Sequence, residues 1–89
     1  MQRIHLIITG RVQGVFFRAS AQAAAVKEGV SGWVKNLANG QVETVAEGEK
    51  TALQAYVSWC RNGPPAANVT DVTVSLEKAI GEFKGFQIL

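Results

Sequence analysis

Arg18 is the residue around which chemistry could be organised in this 89-residue chain. It closes the stretch Gly10-Arg11-Val12-Gln13-Gly14-Val15-Phe16-Phe17-Arg18, whose two glycines and lack of a clear period read as a loop leading into a helix. A helix start presents backbone N–H groups without intrahelical partners together with the positive end of the helix dipole, so it attracts anions. No Ser, Thr, Asp or Asn stands immediately before Arg18 to cap those donors. A cation in the first turn opposes the dipole, and an anion bridging Arg18 and the free amides would relieve that cost. Ser20 supplies the competing reading, in which it caps a slightly later helix and Arg18 is merely solvated. Loop chemistry alone leaves both open.

Other reactive groups are scarce. With one Cys and one His, no Cys₂His₂ or Cys₄ zinc site and no intrachain disulfide can form. Nucleotide loops of the GxxxxGK(S/T) and GxGxxG kinds are absent, as are GxSxG, HExxH and the EF-hand loop. His5 reads as a residue on the solvated face of a strand, and Cys60 as a small core residue on an apolar helix stripe.

The elements that must position Arg18 follow from periodicity. Ile4, Leu6 and Ile8 alternate with polar residues over 3–9, which predicts a strand. An Ala-rich segment from about Arg18 to Glu28 predicts a helix stopped by Gly29. Gly32–Asn36 and Gln41–Gly48 flank Asn39-Gly40, a hairpin signal because both residues tolerate positive φ. Leu53, Tyr56, Val57 and Cys60 form one stripe on a second helix over 49–62, ended by Gly63-Pro64-Pro65. Val72, Val74 and Leu76 alternate as a further strand, and a short last one holds Phe86 and Ile88. This βαββαβ order, plus a short terminal strand, fits an α+β ferredoxin-like split βαβ sandwich with two helices on one face of an antiparallel sheet. Residues 1–89 read as a single domain.

Composition narrows the partners. Hydrophobic residues at 47% and charged residues at 18% are those of a globular chain. A net charge of +2 is far from the basic stripe of a dedicated nucleic-acid binder. No apolar run approaches the ~18 residues of a membrane span. Nothing in the N-terminal residues resembles a secretory leader, so the expected location is the cytoplasm. The expected state is a monomer.

Two multi-residue patterns then combine. Gly10-x-Val12-Gln13-Gly14-Val15-x-Phe17-Arg18, followed by Gly32-Trp33-Val34-Lys35-Asn36-x-x-x-Gly40-x-Val42-x-x-x-x-x-Gly48, closely resembles the two signatures of the acylphosphatase family. Gly63-Pro64 and the closing Gly85-Phe86-x-Ile88 also look like that family, so the resemblance covers most of the chain. Asn39 stands where an Asp often precedes the turn glycine, and either residue supports that turn. The resemblance implies a ferredoxin-like fold and hydrolysis of the carboxyl–phosphate anhydride of a small acyl phosphate, without metal or cofactor. It implies that Arg18 binds the phosphate with the backbone N–H groups of Gln13, Gly14, Val15, Phe16, Phe17 and Arg18. It also implies that Asn36 holds the attacking water.

Rival readings use the same fold. An RNA-binding βαββαβ module would carry an aromatic-rich third strand, but that strand here is QVETVAEG, with no aromatic. A small-ligand regulatory module is also compatible with the fold alone. Neither accounts for Arg18 and Asn36 together.

Overall fold

A computed structural model describes all residues from Met1 to Leu89. Seven elements follow in the order β1 (Gln2–Arg11), α1 (Phe17–Glu28), β2 (Ser31–Asn36), β3 (Val42–Gly48), α2 (Lys50–Asn62), β4 (Asn68–Glu77) and β5 (Phe86–Ile88). The sheet order is β4-β1-β3-β2-β5. β1 pairs antiparallel with β3 and β4, and β2 antiparallel with β3. The ferredoxin-like arrangement is therefore present, with one departure: β5 joins the far edge parallel to β2, which makes the sheet mixed. The chain reaches that edge by crossing the sheet from β4, and this crossing leaves β5 running in the direction of β2.

Strand alternation sends Ile4, Leu6 and Ile8 of β1, Val34 of β2, and Val42 and Ala46 of β3 into one core with Ala21 and Ala25 of α1 and Leu53, Tyr56 and Cys60 of α2. The small side chains of α1 let that helix lie close to the sheet. Gly29 ends it in the left-handed conformation, its N–H bonded to the Ala25 and Val26 carbonyls, as a C-terminal glycine should. The apolar stripe of α2 is core, although Val57 is only half-buried at its margin. Thr44, also fully buried, donates to the Trp33 carbonyl and shares a 2.8 Å hydrogen bond with the Tyr56 hydroxyl. Val74 and Leu76 face the helix side by register with Leu6 and Ile4, yet both are exposed, because β4 is an edge strand where the helix layer stops short.

The opposite face of the sheet is closed at one end by the segment linking β4 to β5. The buried Glu47 carboxylate accepts the N–H groups of Ile80 and Gly81 at 3.0 and 3.1 Å. Arg3 bonds Glu77 and Glu82 and lies over the Phe83 ring. These contacts fix the crossing and so fix where β5 arrives. No helix is long and apolar enough to cross a membrane.

On the open part of that face Glu43 stands between His5, at 2.6 Å, and Lys35, at 3.5 Å. The hydrogen bond to His5 is the main cause holding the Glu43 carboxyl below its ordinary value of 4.5 against the opposing effect of burial, and the nearby Lys35 ammonium lowers it further. A depressed folded-state pKa contributes stability that is present above the ordinary value and lost as pH falls through the lowered one. In urea titrations Glu43→Gln should therefore be less stable than the parent near neutral pH, with the difference vanishing at acid pH below the carboxylate range. A difference that persists unchanged into acid would exclude this account.

Candidate active site

The β1–α1 loop folds by alternating anchors. Val12, Val15 and Phe17 are buried, so the chain between them must curl back on itself. The curl uses Gly14 at φ 74° and Phe16 at φ 63°, the only non-glycine residue in the chain with positive φ. Phe16 occupies the position before the helix, and the first intrahelical bond is Ser20 N–H to the Phe16 carbonyl at 3.1 Å. Ser20 thus lies inside the helix and caps nothing, which removes the alternative it offered. Helix α1 begins one residue earlier than about Arg18, at Phe17.

A left-handed residue followed by a helical one turns successive N–H groups toward a common point, an anion-receptive nest. No side chain caps α1 and no acid lies in its first turn. None of the backbone N–H groups of residues 13–17 donates to a protein acceptor. The helix dipole adds its positive end at the same place. A β-bulge at Thr9/Gly10 aims the strand into this loop, and Gly10 is required there because a Cβ would stand 2.1 Å from the Asn68 carbonyl oxygen.

The second signature is brought alongside by Gln13. Its Nε2 donates to the carbonyls of Leu37 and Gln41, at 2.7 and 2.9 Å, tying the β1–α1 loop to the β2–β3 connection. That connection is longer than a two-residue turn. Only Gly40 has positive φ, at 93°, while the Asn39 side-chain Oδ1 accepts the Gln41 N–H at 3.0 Å and sets the turn. Asn36, the last residue of β2, is placed by its pairing with Val42.

Arg18 and Asn36 meet in one cavity of about 320 Å³, lined also by Gly14, Phe16 and Phe17. Arg18 Nη1 donates to the main-chain oxygen of Leu89 at 3.2 Å, which steadies the guanidinium while leaving further N–H groups free. The Asn36 Oδ1 is buried and has no hydrogen-bond partner. A buried acceptor without a donor is costly, on the order of 1–3 kcal/mol. Of the other residues expected in the phosphate loop, Gln13 and Val15 do not line the cavity: one side chain is tied to the hairpin and the other is in the core. What they bring is main-chain N–H. Lys35 faces Glu43 and the Trp33 ring, away from this cavity.

Ile88 lines the cavity too and was not singled out from sequence. The closing Gly85-Phe86-x-Ile88 pattern was the available signal, but nothing in it tells which end of which strand β5 will reach. Cys60 and Tyr56 stand apart from the cavity. Burial is the main cause pushing the Cys60 thiol up to about 12, and it also drives the Tyr56 hydroxyl strongly upward.

An α+β ferredoxin-like protein with an uncapped, anion-receptive helix start and one arginine is thereby defined. The acylphosphatase family model matches residues 4–88. A Roseiflexus sp. (strain RS-1) acylphosphatase is 56% identical over 89 residues, spanning 100% of this chain and 96% of that one. One from Aeropyrum pernix is 49% identical over 87 residues, covering 97% and 86%. The crystal structure of acylphosphatase from Bacillus subtilis superposes with a TM-score of 0.96 at 42% identity, covering 100% and 99%. The chain belongs to the acylphosphatase family. Its class of activity is hydrolysis of an acid anhydride in a phosphorus compound.

A large side chain held at φ 63° costs roughly 1–2 kcal/mol, and the 82% exposed Phe16 ring recovers none of it through burial in the core. Phe16→Gly should accordingly leave stability unchanged or raise it by about 1 kcal/mol, the greater unfolded-state freedom of glycine offsetting part of the relief. Urea unfolding measures this, and a loss above about 1 kcal/mol would contradict it.

Proposed function

We propose that the cavity between the β1–α1 loop and the end of β2 hydrolyses small acyl phosphates, with Arg18 and the N–H groups of residues 13–18 binding the phosphoryl group and Asn36 positioning the attacking water. The observation that carries this reading is the juxtaposition of unpaired loop amides, Arg18 and Asn36 around one cavity. A guanidinium fork matches phosphate oxygens and keeps its proton at any working pH. Phosphoryl transfer proceeds through a loose transition state, so positioning and charge stabilisation supply most of the catalysis.

In the proposed step one water, held by the Asn36 side-chain amide, attacks phosphorus in line with the leaving group. The bond between phosphorus and the bridging oxygen breaks, and its electron pair departs on the carboxylate. The water's spare proton passes to a phosphate oxygen, giving inorganic phosphate. A carboxylic acid has a pKa of about 4–5, so the carboxylate leaves without protonation. This explains why so few ionisable groups suffice where an alkoxide leaving group would demand a general acid or a metal ion. No acid or base lines the cavity besides Arg18, which supports proton transfer to the substrate itself.

Residues 1–89 would act as one domain and as a monomer, without nucleic acid, membrane or cofactor. A cytoplasmic location fits a chain whose only cysteine is buried in the core and free of any disulfide.

Arg18→Gln should lose inhibition by inorganic phosphate and lower kcat/KM by about 10³ or more, as expected for removal of the main transition-state charge. Arg18→Lys should fail to restore it, since a point charge does not reproduce the fork. Asn36→Ala should lower kcat by about 10²–10³ while leaving phosphate inhibition nearly intact. Steady-state hydrolysis with a phosphomonoester control tests both, and turnover retained by either folded variant would overturn the assignment.

A further inference from the structure

A second concavity lies on the helix side of the sheet between α2 and the edge strand β4, and it shares no residue with the cavity that holds Arg18 and Asn36. Its floor is Ile4 of β1 with Val74 and Leu76 of β4, and its wall is Leu53 and Val57 of α2. The volume of about 460 Å³ falls within the roughly 300–1,000 Å³ of small-molecule sites. Val74 and Leu76 are 39% and 77% exposed, so an apolar stripe that register directs toward the core stays in water.

Charge decides what this groove fits. Lys50 at the start of α2 and Arg61 near its end both line it, about 16 Å apart along the helix axis. Neither cation has an ion-pair partner in the protein. No carboxylate lines the groove. Glu77, next to Leu76, is bonded to Arg3, and Asp71 pairs by register with Thr9 on the face that carries His5 and Glu43. Glu49 precedes α2 but stays outside the lining. A floor of apolar side chains between two unpaired cations complements a molecule with an apolar chain and an anionic end.

We propose that the groove between α2 and β4 binds a monomeric medium-chain aliphatic carboxylate, its chain over Ile4, Val74 and Leu76 and its head at one of the two end cations. A chain lying in either direction brings its carboxylate to a cation. A second copy of the protein docked groove to groove would set cation against cation, and a flat bilayer surface does not fill a concavity. This site is separate from the reaction proposed above and does not depend on it.

Amide NMR titrations of the protein with hexanoate, octanoate and decanoate, all below their micelle concentrations, test the assignment. Saturable shifts should appear at Gln54, Val57, Val74 and Leu76 and spare residues 13–18. Affinity should rise about two- to fourfold for each added methylene, as burial of a chain requires. Octanol should bind about two- to fivefold more weakly than octanoate, the scale of one exposed charge pair. The double variant Lys50→Gln with Arg61→Gln should erase that difference. Leu76→Glu changes an exposed side chain and should weaken octanoate by about tenfold or more, by placing a charge on the apolar floor. Arg18→Gln should leave octanoate affinity unchanged. Absence of saturable shifts, affinity independent of chain length, or octanol equal to octanoate in the parent would overturn the site. So would shifts confined to residues 13–18 and lost in Arg18→Gln, which would put the carboxylate in the catalytic cavity. Binding seen only with anionic phospholipid vesicles, and not with the free carboxylates, would overturn it as well.

Discussion

The Gln13 side-chain amide joins the two halves of the site. Its two hydrogen bonds to the Leu37 and Gln41 carbonyls are the link between a loop that carries donors and a hairpin that carries an acceptor. Sheet register alone puts Asn36 at one end of β2, and the Thr9/Gly10 bulge alone turns β1 toward the same end. Neither sets the separation between loop and hairpin, and that separation decides whether Arg18 and Asn36 address one ligand. The amide does so through carbonyls that each already accept a hairpin N–H, Leu37 from Gly40 and Gln41 from Leu37, so it docks on groups whose positions the hairpin itself fixes.

Around that link, charge is supplied mostly by main chain. The loop amides and the dipole of α1 give a fixed positive field that needs no titration and no reorientation on binding, and Arg18 adds the single full charge. The groups that could have offered acid–base chemistry are kept out of it: Tyr56 and Cys60 are buried in the core with their protons held, and His5 is paired with Glu43 on the other face of the sheet. A reaction whose leaving group departs as a stable carboxylate matches such a site.

Much of this was legible in the sequence because it depends on local periodicity. Alternation at Ile4, Leu6 and Ile8, the Ala-rich run of α1, the Gly29 stop and the stripe of α2 all correspond to elements found where expected. Arg18 and Asn36 were found through the two signatures, and the fold brings them to one cavity. What local pattern could not convey was long-range. The left-handed turn at Phe16 is imposed by burial of Val15 and Phe17 on either side, and no propensity scale assigns it to a phenylalanine. Alternation marks the apolar side of β4 but not its edge position, which leaves Val74 and Leu76 uncovered. The burial of Glu47 and the parallel entry of β5 depend on a chain crossing the whole sheet, and so Ile88 was read as part of a strand and not as part of the site.

That crossing also orders events in time. β5 can pair with β2 only after the chain has spanned the sheet from its opposite edge, and the Arg18 hydrogen bond to the Leu89 oxygen joins residues 71 apart along the chain. Contacts that close long loops cost the most entropy to form and give the least local return, so they assemble after hairpins and helices. The wall that carries Ile88, and the Leu89 oxygen that steadies Arg18, therefore belong to the late-forming, long-range contacts. A chain with β1 to β3 and both helices in place but β5 undocked lacks the Ile88 side of the cavity and the Leu89 partner of Arg18, so a complete site depends on that distant docking.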